Sequence, residues 1–225
     1  HELFRRAVRR VTEVLAEAAG ERSPADGGAA SSRRARSSAI QVHAVPQGAL
    51  FPACDPAAEW SAVCGPEQAH QLGERFIREH AELFDPGFRA WMEMSLEVPM
   101  AEYQRARRRR FEHVRRFDEL LDGDTVLLSP VLCYSEQHAD GRLPGAGQPG
   151  VPTDLENTYA ANITGHPAIS LPAGRVPSGV GCGLMVTGPR LGDDMLLALA
   201  ELWEAAEPWP RVASGYDEFT VGLPL

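Results

Sequence analysis

Apolar residues recur at helical spacing from the first turn of the chain. Phe4, Ala7, Val8, Val11, Val14 and Leu15 make one stripe, with Arg5, Arg6, Arg9 and Arg10 on the other faces. Steps of three and four residues place such positions on one side of an α-helix, and Gly20 is the expected stop, because glycine readily takes the left-handed conformation that closes helices. The period then lapses. Residues 21–38 are rich in Ser, Gly, Ala and Arg without apolar repetition, which reads as a flexible loop. Ala39 to Val45 alternates as a short strand would, ending at Pro46. Three helical stretches follow: Glu67 to Leu83, Pro86 to Leu96, and one with Pro99 at N1 carrying Met100, Tyr103, Ala106, Phe111, Val114 and Phe117.

The pattern changes at Thr125–Ser129, a short apolar run between Gly123-Asp124 and Pro130. Continuous apolar runs of this length are how buried strands of a parallel sheet read. Cys133 to Pro152 is Gly/Pro-rich and reads as a loop, and Thr153 to Ala161 as a short helix with Thr153 at N-cap and Glu156 at N3. Ala168–Pro172 and Cys182–Thr187 are two more strand-like runs joined by a Gly/Pro/Ser turn. Asp193 and Asp194 then open an amphipathic helix with Met195, Leu196, Leu199, Leu202 and Trp203; acidic residues suit a helix N-terminus. The organisation is α/β, in three regions: a helix over 1–20, a loop over 21–38 and a main body over 39–225.

Composition narrows the function. Hydrophobic residues make up 44% of the 225 positions and the formal net charge is −9, so a core is expected and a nucleic-acid partner is not, since phosphate contacts need a basic footprint. The run Arg107–Arg110 reads as a solvated helix face paired with Glu102, Glu112 or Glu119, and Arg33, Arg34 and Arg36 as part of a solvated loop. No apolar run reaches the roughly 20 residues of a bilayer span, and the charged first ten residues do not suit a secretory signal; no membrane partner is expected, and the expected compartment is cytoplasmic. Cys54, Cys64, Cys133 and Cys182 form no CxxC pair, so no metal or other cofactor is expected and the thiols read as small buried side chains. All 22 basic residues counted as Lys or Arg are arginine. Chemistry that needs a lysine is therefore not housed in this chain.

Several local constellations invite a catalytic reading. Ser170 lies four residues after His166, with Asp140, Asp154 and Glu156 as candidate orienting acids; a triad is a matter of geometry, but Ser170 sits in an apolar strand and not in a G-x-S-x-G elbow, so we read it as a buried, hydrogen-bonded serine. Cys133 with His138 is a second dyad without an electropositive neighbour, and His138 with Asp140 is two ligands without a third. Gly174, Gly179, Gly181 and Gly183 read as turn and close-packing residues, because no G-x-G-x-x-G leads into a helix.

The stretch from Asn162 to Gly174, NITGHPAISLPAG, is followed by Gly183-Leu-Met-Val-Thr-Gly188-Pro189 and by Asp193-Asp194-Met-Leu-Leu197; upstream stands Asp124-Thr-Val-Leu-Leu-Ser-Pro130. These motifs, in this order from Pro99 to about Glu204, resemble the carboxy-terminal half of amidase-signature hydrolases. The resemblance implies a mixed, mostly parallel sheet flanked by helices, with only that half present, and hydrolysis of a carboxamide C–N bond by a serine activated through a second serine and a lysine. In the family these groups lie in the first half, on a Gly/Ser-rich loop; this chain has neither that loop nor a lysine. It therefore carries no catalytic residue of its own. The same resemblance puts Thr158, Ala161, Asn162, Thr164 and Gly165 beside the acyl pocket as substrate-binding residues. Read from the residues alone, Asn162 and Thr164 brace a turn in which Gly165 takes a positive φ. The expected partners are a small-molecule amide and the missing amino-terminal half, with a homodimer left open. The alternative is a non-catalytic binding or scaffolding module that retains a remnant of the fold.

Overall fold

The computed structural model describes residues 2–21, 40–50, 56–132 and 156–210. The elements in chain order are α1 (Glu2–Glu21), α2 (Gln47–Leu50), α3 (Pro56–Leu72), α4 (Glu74–Glu79), a 3-10 turn (Ala81–Leu83), α5 (Pro86–Leu96), α6 (Met100–Leu120), β1 (Leu127–Pro130), α7 (Glu156–Thr164), β2 (Ala168–Arg175), β3 (Gly181–Thr187) and α8 (Asp193–Ala206). Helices flank a small sheet, as expected of an α/β chain.

The sheet order is β1-β3-β2. Leu128 pairs with Val186, and Ile169 with Val186 on the other side, both antiparallel. This corrects the parallel reading of these three runs. β3 is buried on both faces from Leu184 to Thr187, so its apolar run is continuous whatever the direction of its neighbours. Direction is instead set by the connection. Residues 176–180 are too few for a parallel crossover, and they close as a turn with Val176 N donating to Val180 O at 2.9 Å.

One sheet face carries the main core. Leu171, Leu184 and Val186 pack against Ala7 and Val11 of α1 and against Leu196, Leu199 and Trp203 of α8, with Leu128 and Ile169 at the margin. Trp203 Nε1 donates to Pro172 O at 3.1 Å, and Arg10 Nε meets Glu207 Oε1 at 2.7 Å, tying α1 to the end of α8. On the other side Leu127 reaches a second cluster of Phe117, Leu121 and Ala160. A third cluster, Ala69, Ile77 and Met92, joins α3, α4 and α5.

Local chemistry accounts for several boundaries. Asp85 caps α5 by accepting from Gly87 N at 2.8 Å and Phe88 N at 3.2 Å, ahead of Pro86. Pro99 stands one place earlier than expected, at the N-cap of α6. α1 runs through Gly20 instead of stopping there. Residues 40–46 form no strand, and α3 starts well before Glu67, carrying Pro66 in its interior. α7 continues three residues past Ala161; its expected N-cap, Thr153, lies outside the described residues, as do the loop 22–38 with its three arginines, Cys54 and Cys133. Cys64 and Cys182 are free and half-buried. No helix among the described residues is long and apolar enough to cross a membrane.

Candidate functional site

α7 has two sides of different character. Tyr159, Ala160, Ile163 and Thr164 are buried, facing α3, α6 and the sheet. Thr158, Ala161, Asn162 and Gly165 are half-buried or exposed, and their spacing puts them on one stripe. Four of the five expected pocket residues thus share the open side. Thr164 is the exception: it is fully buried and its hydroxyl donates to Ala160 O at 2.8 Å, so it is a brace and not a lining residue. Asn162 Nδ2 donates to Thr158 O at 3.0 Å, within the stripe. Gly165 takes φ 72°, and its N–H closes the helix on Ala161 O at 2.8 Å.

The end of α7 is gripped from two directions. Arg110 of α6 donates Nε to Ile163 O at 2.5 Å. Arg190, in the turn between β3 and α8, donates Nη1 to Thr164 O at 3.3 Å. Its Nη2 also spans both oxygens of Asp118 on α6, at 2.9 and 3.1 Å. The same carboxylate lies 3.2 Å from His166 Nε2, but without hydrogen-bond alignment, and neither ring nitrogen of the buried imidazole has a hydrogen-bond partner. The ring packs on Phe117, centroids 5.5 Å apart. Burial, and then Arg190, push the His166 imidazole below its ordinary pKa against the pull of Asp118.

No Ser170 triad is assembled among the described residues. Ser170 is exposed, correcting the expected burial, and borders Gly183 of the next strand, while the acid beside His166 is Asp118, already paired with Arg190. Asp140, Asp154 and the Cys133–His138 pair lie outside the described residues, and so does the side chain of Glu156. Among the described residues no group of three or more His, Cys, Asp or Glu could hold a metal ion. Gly183 is a close-packing residue: a Cβ there would sit 2.6 Å from Val131 Cγ2 and 2.8 Å from Ser170 Oγ.

The arginine run on α6 was only partly legible. Arg107 and Arg108 are exposed, as a solvated face would be, and Arg109 Nη2 meets Glu102 Oε1 at 3.1 Å. Arg109 turns inward to the buried Glu59 at 2.5 Å, and Arg110 to α7. The signal was present in the period: Ala106, Arg109, His113 and Phe117 follow one another by three and four residues, and Arg110 lies four after Ala106 and three before His113.

The Amidase family model matches residues 13–197. The chain belongs to the amidase family. An acylamidase of Rhodococcus erythropolis is 34% identical over 88 residues, 37% of this chain and 18% of that protein. A bacterial aryl acylamidase of the amidase-signature family superposes with TM-score 0.56 at 21% identity, covering 76% of this chain and 36% of that one. A 6-aminohexanoate cyclic dimer hydrolase gives TM-score 0.60 at 19% identity, covering 92% and 42%. This chain therefore spans less than half the length of each of these amidases, and the structural likenesses establish the amidase fold.

Proposed function

We propose that this chain is the substrate-shaping, sheet-completing part of an amidohydrolase that cleaves a carboxamide C–N bond by serine-based acyl transfer. The observation that carries the reading is the stripe Thr158, Ala161, Asn162 and Gly165, turned away from the chain's own core on a helix held firmly on its other side. Small side chains and one amide leave room for an acyl group and a donor to orient it. The nucleophile, its activating serine and the lysine that takes the proton come, in this reading, from polypeptide outside the chain, which contains no lysine. That lysine would need a desolvated or cationic setting to act as a base at neutral pH. Backbone N–H groups of the serine loop would hold the oxyanion.

The test is activity of the purified chain on aliphatic and aryl amides. The chain alone gives no turnover above background, and the same substrates are hydrolysed when it is continuous with, or reconstituted by, a lysine-containing, Gly/Ser-rich segment. Turnover by the chain alone, abolished by Ser170→Ala or Cys133→Ala, would reveal a second active centre and sink the proposal.

A further inference from the structure

We propose that Asp118, Arg190 and Arg110 form a clamp that positions the Asn162–Gly165 turn and thereby sets which acyl groups the enzyme accepts. This rests on the reading of α7 as the pocket helix. An α-helix ends with carbonyls that lack an intrahelical donor, and a positive charge there also complements the helix dipole. Here two such carbonyls, Ile163 O and Thr164 O, each receive a different arginine. The two arginines come from elements far apart in sequence, so the turn cannot shift toward or away from the open side without breaking one contact. Arg190 is itself aimed: its guanidinium lies across both oxygens of Asp118, the two-pronged geometry that fixes a guanidinium plane.

The backbone beside Arg190 points the same way. Leu191 holds φ 63°, a region that leucine avoids, and it is 89% exposed. The strained turn is therefore not maintained to bury the leucine. What it does deliver is Arg190, directed inward to Asp118 and Thr164. Strained backbone that places a functional side chain is a recurring device. Arg190 Nη1 comes within 4.0 Å of where a Cβ on Gly165 would stand, at the end of the stripe, and its guanidinium donates to the Thr164 carbonyl and to Asp118; the three act through the turn, as positioning residues.

The experiment uses the full-length enzyme and the ratio of kcat/KM for a bulky-acyl anilide to that for acetanilide. Asp118→Asn and Arg190→Gln should each change that ratio by about tenfold, because displacements well under an ångström at a bound acyl group alter reactivity on this scale. Arg190→Lys, which keeps the charge but not the two-pronged contact, should recover only part of it. If the variants lose thermal stability while the ratio stays at the parental value, the residues are ordinary supports and the clamp is refuted. Should Asp118→Asn and Arg190→Gln fail to fold, Arg110→Gln, which leaves the ion pair intact, carries the same expectation and the same refutation. If the parent enzyme hydrolyses no amide, it is the proposed function that falls. The clamp is then decided by hydrogen exchange at the Gly165 and His166 amides, which the substitutions must accelerate at least about tenfold if it holds.

Discussion

His166 is a neutral imidazole in a place that does not welcome its charged form. Its side chain is fully buried against Phe117, and burial followed by Arg190 lowers its pKa while Asp118 opposes. Because the folded-state pKa lies below the ordinary 6.5, the unfolded chain takes up the proton first as pH falls. The stability that goes with the neutral ring is thus fully present above about 6.5 and is lost as pH drops from there through the folded value. His113, also buried, behaves in the same sense, its desolvation outweighing Glu59 and Glu112. Denaturant midpoints measured from pH 7.5 to 5 should therefore decline, and His166→Gln should flatten part of that slope; an unchanged slope would show that the imidazole does not report on folding. The sequence singles the residue out only within a triad that it does not favour. Asp118, its neighbour in the fold, is not among the acids that reading offers, because neighbourhood along the chain, not in space, is all that a sequence shows.

Among the elements, those with a single buried stripe were legible. α1 and α8 bury the residues their period selects, Ala7, Val11 and Val14 in one and Leu196, Leu199 and Trp203 in the other. Helices that bury polar groups were not. In α6 Met100 and Phe111 are mostly exposed while His113 and Arg109 face inward, because the neighbours of this helix are Glu59 and the carbonyls of α7 as much as apolar groups. α3 begins well before the expected Glu67 and carries Pro66 inside it, where a residue with no N–H to donate would ordinarily break a helix; the surrounding packing, including Trp60 stacked on Trp91 at 5.1 Å, holds the helix across it. The weight carried by α8 can be measured at Trp203. Trp203→Phe keeps most of the ring but removes the bond to Pro172 O and should cost about 1–2 kcal/mol. Trp203→Ala should cost about 3–5 kcal/mol. Urea unfolding of both variants checks this, and a Trp203→Phe variant as stable as the parent would mean that the indole N–H carries no part of it.

For the molecule as a whole, the family was legible because its motifs are short, ordered and contiguous, whereas strand direction was hidden. The central strand β3 is buried on both faces from Leu184 to Thr187 and so reads the same beside a parallel or an antiparallel neighbour. On the proposed reading the isolated chain lacks its complement. Its sheet edges are poor templates, since β1 has four residues and β2 contains Pro172. Exposed side chains are the stronger drive: Leu83, Met94, Met100, Phe111, Leu191 and Leu197 are all more than half exposed. Light scattering at micromolar concentration should give masses above the 24.5 kDa monomer, reverting when the complementary polypeptide is supplied. A clean monomer that unfolds cooperatively would refute the half-enzyme reading. The two-sidedness of α7 also matters to anyone wishing to redesign such an enzyme. The buried side chains of α7 are Tyr159, Ala160, Ile163 and Thr164, whereas Asn162 is exposed and Ala161 half-buried. On the proposed reading a combinatorial library at positions 161 and 162 should therefore explore new substrates with little loss of foldable members, while Gly165 and the gripping arginines stay fixed as the frame in which every variant is compared.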